Sequence, residues 1–235
     1  MKEHRDETPE LFDSYEESYS ATVNNAIAFT HLDVDFFTRV KAGYILDLCR
    51  AHFGSPGHVK ALDVGCGVGN FHGLLAPALG SLSGVDVSRP SIERARQRHQ
   101  GVEYQTYEGH RLPYDDGAFD LAFTVCVLHH VPPAKWPGFV GEMRRVLRPG
   151  GLALVFEHNP RNPLTLRAVN NCPFDADAVL LRAEKTADLF TQAGFGSVGC
   201  RFILSVPAAG AALRTVDRVF SRLPWGAQYY VRAEK

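Results

Sequence analysis

The chain has 235 residues, of which 45% are hydrophobic and 22% charged, and its formal net charge is −1. That length suits one α/β domain with additions and supplies enough apolar chain for a sizeable core. The scattered basic residues make no footprint for nucleic acid and no polybasic membrane patch.

The start, MKEHRDETPE, is too polar for a signal peptide, and no run approaches membrane-spanning length. Five cysteines (Cys49, Cys66, Cys126, Cys172 and Cys200) lack CxxC spacing. They are expected as reduced thiols in a cytoplasmic protein, not as a zinc site or disulfides.

Residues 1–58 show interrupted helical spacing in FDSYEESYSATVNNAIAF and FFTRVKAGYILDLCRAHF, and GSPG ends the second run. From Val59 the texture changes to strands alternating with helices. VKALDV is a buried-strand run, followed by glycines and the short helix FHGLLAPALG. LSGVDV is a second strand, and SRPSIERARQRH is a helix with a Ser-x-Pro start. VEYQTY and FDLAFTV are the third and fourth strands, and AKWPGFVGEMRRVL is the next helix. RPGG turns into a fifth strand, LALVF. The helix RAEKTADLFTQAG, the strand VGCRFILSV, a helix near 208–222 and the strand GAQYYVRAE complete the chain.

Such alternation predicts a doubly wound α/β fold, a mostly parallel sheet with helices on both faces. Ligands of such sheets gather at the carboxyl ends of the strands, near the point where strand order reverses. Five strand ends are polar here: DVGCGVGN, DVS, YEGH, CVLHH and FEHNP.

ALDVGCGVGN sets Gly65, Gly67 and Gly69 between a strand and a helix. Glycine there permits positive φ and a close approach of ligand to backbone. Position 70 is Asn, so the dinucleotide pattern GxGxxG is incomplete, and no Gly-Lys-Ser/Thr follows for a nucleotide triphosphate. Asp86 ends the second strand, where a carboxylate is able to accept from both hydroxyls of a ribose.

Asp63-x-Gly65-x-Gly67-x-Gly69, the strand-end acid Asp86, RLPYDDGAFDLAF and RRVLRPGG together resemble the class I S-adenosylmethionine-dependent methyltransferases, most specifically over residues 59–157. The resemblance implies a Rossmann-like sheet of seven strands with only the last antiparallel. It implies S-adenosylmethionine as cofactor, with Asp63 near the methionine ammonium, Gly65, Cys66 and Gly67 under the cofactor, and Asp86 with Val87 at the ribose. Glu108 stands where the family often has an Asp facing adenine, followed by Gly109, and Val125 closes the fourth strand beside the cofactor. Tyr15 and Tyr19 resemble aromatics of the N-terminal helix that covers the methionine end; they read equally well as core aromatics at i and i+4. The implied division is a helical cap over 1–58 and a catalytic domain over 59–235, with 158–181 a substrate-facing insertion.

Methyl transfer is an in-line displacement at an activated carbon, so alignment matters more than acid–base chemistry. A base is needed only for an acceptor that arrives protonated. His129, His130 and His158 at the ends of strands four and five are the candidate bases. Glu157, Asn159, Asn162 and Arg167 are candidate acceptor-binding groups in FEHNPRNPLTLR. No metal is expected, since these histidines and Glu157 have no diagnostic ligand spacing. Cys126 reads as a small buried hydrophobe with no thiolate-stabilising neighbour in the sequence.

The function expected is methylation of an oxygen or nitrogen of a small molecule, in secondary or cell-envelope biosynthesis, by a monomer or homodimer. Two alternatives stay open: an NAD-dependent oxidoreductase on a similar sheet, and a protein that binds the cofactor without transferring methyl groups.

Overall fold

A computed structural model describes residues 19–206 and 210–235. The first helix, α1 (Tyr19–Ile27), leads through a 3-10 turn to α2 (Val34–Phe53), whose N-cap Asp33 accepts from the Phe36 amide. Then come β1 (Lys60–Val64), α3 (His72–Leu75), β2 (Ser81–Asp86), α4 (Arg89–Arg98), β3 (Glu103–Thr106) and β4 (Phe119–Val125). The remainder comprises α5 (Trp136–Val146), β5 (Leu147–His158), α6 (Pro163–Asn171), α7 (Ala183–Gln192), β6 (Val198–Ile203), α8 (Ala211–Phe220) and β7 (Gln228–Glu234). No described helix is long and apolar enough to cross a membrane.

The strands form one seven-stranded sheet in the order β3-β2-β1-β4-β5-β7-β6. Pairs among β1 to β5 are parallel, while β7 runs antiparallel to both β5 and β6. Strand order reverses between β1 and β4, so their carboxyl ends flank the crevice that such sheets offer to ligands.

Both faces of the sheet are covered, which is why the central strands read as continuous apolar runs. Successive side chains alternate between the faces. Leu121 and Phe123 of β4 join Leu152, Leu154 and Phe156 of β5 under Val40, Tyr44, Ile45 and Cys49 of α2. Ala122, Ala153 and Val155 face the other way, onto Trp136, Val140 and Met143 of α5 and Leu189 and Phe190 of α7. The second helix of the N-terminal segment is therefore part of the same core as the sheet.

Several elements differ from the sequence expectation: the helix α6 forms inside the 158–181 insertion, and β6 ends at Ile203, short of the run VGCRFILSV. The fifth strand runs from Leu147 to His158, beyond LALVF at both ends, because Leu147 pairs with Phe119 of β4 and Glu157 and His158 pair with Tyr229 and Gln228 of β7. In α8 the buried residues are Arg214 and Asp217, while Leu213, Val216 and Val219 are exposed. Asp217 accepts from the Tyr44 hydroxyl at 2.7 Å and from the amides of Leu204, Ser205 and Val206. Four donors compensate the loss of water around one buried carboxylate.

Candidate functional site

A cavity of about 920 Å³ opens over the carboxyl ends of β1, β2 and β4, roofed by residues of α1, α2 and α6. Two short loops form its floor. After β1 the chain turns through Gly65 at φ 77° and Gly67 at φ 51°. A side-chain carbon on Gly65 would fall 2.6 Å from the Val127 side chain, so this glycine lets the β1 and β4 loops meet. A carbon on Gly67 would meet nothing within 4 Å, which leaves bare backbone facing the cavity.

Asp86 braces that loop. Its Oδ2 accepts from the Gly67 amide at 2.8 Å and its Oδ1 from the Ser88 amide at 2.9 Å. Burial raises its pKa, opposed by those amide hydrogen bonds. Each oxygen keeps acceptor capacity toward the cavity, which both it and Val87 line.

Asp63 also lines the cavity but is 2% exposed, and its Oδ2 lies 3.0 Å from His72 Nε2. His72 Nδ1 meets the Tyr104 hydroxyl at 2.6 Å. Burial raises the Asp63 pKa against the lowering effect of His72. Cys66, between the two glycines, is buried and lines the cavity, its thiol pushed well up by burial and by Asp63 and Asp86. Glu108, Gly109 and Val125 line the same cavity, with Glu108 on its exposed rim.

At the other end of the cavity, β4 gives way to Cys126 and the 3-10 turn Leu128–His130. Trp136 Nε1 donates to the Leu128 and Val131 carbonyls and pins this turn. Glu157, in line with Ala153 and Val155 on the α5 side of β5, is 1% exposed. Its Oε1 accepts from the Leu128 amide at 2.8 Å and its Oε2 lies 2.5 Å from His129 Nδ1. His129 Nε2 and His130 Nε2 both lie 3.5 Å from Asp175 Oδ1, on the 3-10 turn Pro173–Asp175.

The charges follow from these contacts. Burial alone would lower the His129 pKa, but Glu157 and Asp175 outweigh it and hold the imidazole well above its usual range. Burial would raise Glu157 and Asp175, yet His129 holds both low. Burial together with the adjacent His129 pushes His130 down to about 3.

The candidate bases thus part company. His129 is 1% exposed with both ring nitrogens engaged, whereas His130 and His158 are half-buried on the cavity wall. Of the acceptor-binding candidates, Asn162 caps α6 and lines the cavity. Glu157 and Asn159 do not line it. Glu157 is consumed by His129 and the Leu128 amide, and Asn159 by the Pro224 and Gly226 carbonyls and the Arg161 amide. Arg167 is exposed, with its guanidinium 4.6 Å over the Phe29 ring. Tyr15 lies outside the described residues, and Tyr19 begins α1.

Cys126 departs most from its sequence reading. It is half-buried, at φ 57°, and its sulfur lies 3.6 Å from Lys41 Nζ. Burial would raise its pKa, but the Lys41 ammonium and His158 overcome that and bring the thiol down to about 7. Lys41 is 7% exposed and lines the cavity between this sulfur and the Phe71 ring. A lysine one residue after Val40, on the stripe that also carries Tyr44, Ile45 and Cys49, was the available signal. Gln228 was missed as well. It is 5% exposed, lines the cavity, and its Oε1 is buried with no donor among the described residues.

Comparison with known proteins bears on the family and the fold. Residues 62–155 match the methyltransferase domain family. An uncharacterized methyltransferase of Synechocystis is 37% identical over 109 residues, 46% of this chain and 51% of the relative. The rice 24-methylenesterol C-methyltransferase 2 is 32% identical over 172 residues, 67% of this chain and 46% of the relative. The chain spans about half, or less, of the length of the curated relatives it matches first. A solved SAM-dependent methyltransferase from Thermotoga maritima shares the fold with a TM-score of 0.68 at 21% identity, over 96% of this chain and 99% of that one.

Proposed function

We propose that this chain, which carries a class I S-adenosylmethionine-dependent methyltransferase domain, transfers a methyl group from S-adenosylmethionine to an oxygen or nitrogen of a small, largely apolar molecule. The observation that carries the reading is the bare backbone at Gly67 braced by Asp86, opening into a cavity whose far wall holds His130, His158 and Gln228. The residues present fit the cofactor. Asp86 offers one acceptor oxygen to each hydroxyl of a ribose, Gly67 admits close approach, and Glu108 and Gly109 border the adenine side. Asp63, held by His72, would be the carboxylate that holds the cationic methionine end. The cofactor would supply an activated methyl carbon; the chain's residues bind, orient and exclude water.

The described part of the 1–58 cap and the 158–181 acceptor-facing insertion would close over the cofactor and acceptor in this reading, since α1, α2 and α6 roof the cavity. Alignment in such a site lowers a barrier by about 7–11 kcal/mol. His158, on the cavity wall, would take a proton from a hydroxyl or ammonium acceptor, and Gln228 Oε1 would accept a hydrogen bond from that acceptor. Relatives named as methyltransferases of 24-methylenesterol, squalene and phthiotriol dimycocerosates support an apolar acceptor.

Calorimetric titration with S-adenosylmethionine, S-adenosylhomocysteine and NAD tests the binding half. Binding of both adenosyl ligands is expected, and binding of NAD alone would overturn the reading. An acceptor screen that follows adenosylhomocysteine release tests turnover. Binding without turnover on any acceptor would favour a protein that holds the cofactor without transferring methyl groups.

A further inference from the structure

We infer that His129, His130 and Asp175 form a binding site for one first-row divalent transition-metal ion on the wall of the cavity. Their ligand atoms all lie within 4.8 Å of one another, and each imidazole Nε2 is 3.5 Å from the same carboxylate oxygen. Ligands about 2.1 Å from a metal in tetrahedral array are separated by about 3.4 Å, which the two 3.5 Å edges to Asp175 match.

The surroundings are those of a held site. A carboxylate only accepts, so Glu157 Oε2 at 2.5 Å holds a hydrogen of His129 on Nδ1 and turns Nε2 toward Asp175, where the ion would replace the second ring proton, which leaves to solvent. Glu157 is itself anchored by the Leu128 amide, and the turn that bears both histidines is pinned by Trp136. The His129 carbonyl accepts from the Val179 amide at 2.8 Å, tying the segment that follows Asp175 to the histidine turn. Two short turns from distant parts of the chain are thus locked with three ligand groups converging.

Two imidazoles and one carboxylate select a borderline ion such as zinc over magnesium or calcium, which prefer all-oxygen shells. Three protein ligands leave at least one position for a further group, and all three residues line the cavity. An acceptor hydroxyl held there would release its proton to solvent nearer neutral pH. That last consequence rests on the methyl-transfer reading; the ion site does not.

The test uses the full chain, stripped with chelator and titrated with zinc. One equivalent is expected to bind, and a hundredfold excess of magnesium is expected not to displace it. Asp175→Asn and His130→Gln should each weaken zinc binding at least tenfold. Glu157→Gln should weaken it by roughly 10–100-fold through the misaligned His129. Cys126→Ser should leave it unchanged, which separates the site from adventitious binding by thiols. Cobalt(II) gives a second readout on the unsubstituted chain: visible ligand-field absorption that zinc abolishes. No uptake, or uptake retained by both Asp175→Asn and His130→Gln, overturns the proposal. Adenosylhomocysteine binding, measured on the same protein, separates the two failures. Zinc binding without it leaves the ion site and removes the methyl-transfer reading, and the reverse result does the opposite.

Discussion

Replacing Asp86 with alanine is the sharpest probe of the cofactor end. The carboxylate holds the Gly67 amide at 2.8 Å and the Ser88 amide at 2.9 Å, and it presents its remaining lone pairs to the cavity. A hydrogen bond to a charged acceptor contributes about 1.5–3 kcal/mol, so losing two to a ribose diol removes about 3–6 kcal/mol of binding. Even the lower figure corresponds to a rise in Kd of more than about a hundredfold. Asparagine keeps one oxygen but turns an NH2 group toward one of the two backbone donors. The Asp86→Asn variant should therefore lose roughly tenfold or more, between parent and alanine. The assay is calorimetric titration with S-adenosylhomocysteine, with thermal melting run alongside to establish that each variant is folded. A folded Asp86→Ala variant that binds within threefold of the parent would refute the reasoning, because no other described carboxylate at the end of β2 replaces this one.

Other consequences follow from single contacts. Cys126, brought down to about 7 with Lys41 beside it, should be alkylated by iodoacetamide with a midpoint near that pH. Burial pushes Cys49 to about 12 and Cys172 to about 11 and raises Cys66 and Cys200 as well, so peptide mapping at pH 7.5 should find the label on Cys126. Lys41→Ala removes the ammonium that favours the thiolate, and the midpoint should move up; an unmoved midpoint would show that Lys41 does not set it. Asp217→Ala strands the Tyr44 hydroxyl and three amides. It should cost about 2–4 kcal/mol of stability and lower Tm by roughly 5–15 °C in a melting experiment. Gly65→Ala places a carbon against Val127 at φ 77° and should cost about 1–3 kcal/mol. Adding Val127→Ala should recover the steric part and leave the backbone part, a coupling that a double-mutant cycle in urea measures.

Strand positions and the glycine loop after β1 were legible because their signals are local. FDLAFTV is β4 residue for residue, and the glycines after β1 face the cavity as their spacing after a buried strand indicates. What local reading supplied at the other end was an inventory of groups without their pairings. Lys41 and Cys126 are 85 positions apart, and Glu157 and His129 are 28 apart. They meet because β1, β4 and β5 lie side by side and α2 packs on their face with its first turns lining the cavity. Glu157 shows how the strand decides chemistry. Period-two alternation after Ala153 and Val155 turns it onto the buried α5 side, where an unpaired carboxylate would be very unfavourable. The same alternation that removes Glu157 from the acceptor's reach supplies His129 with its partner. The acid in FEHNP therefore acts on the cavity through a histidine on the neighbouring strand end, while His158, one residue on, faces the cavity itself.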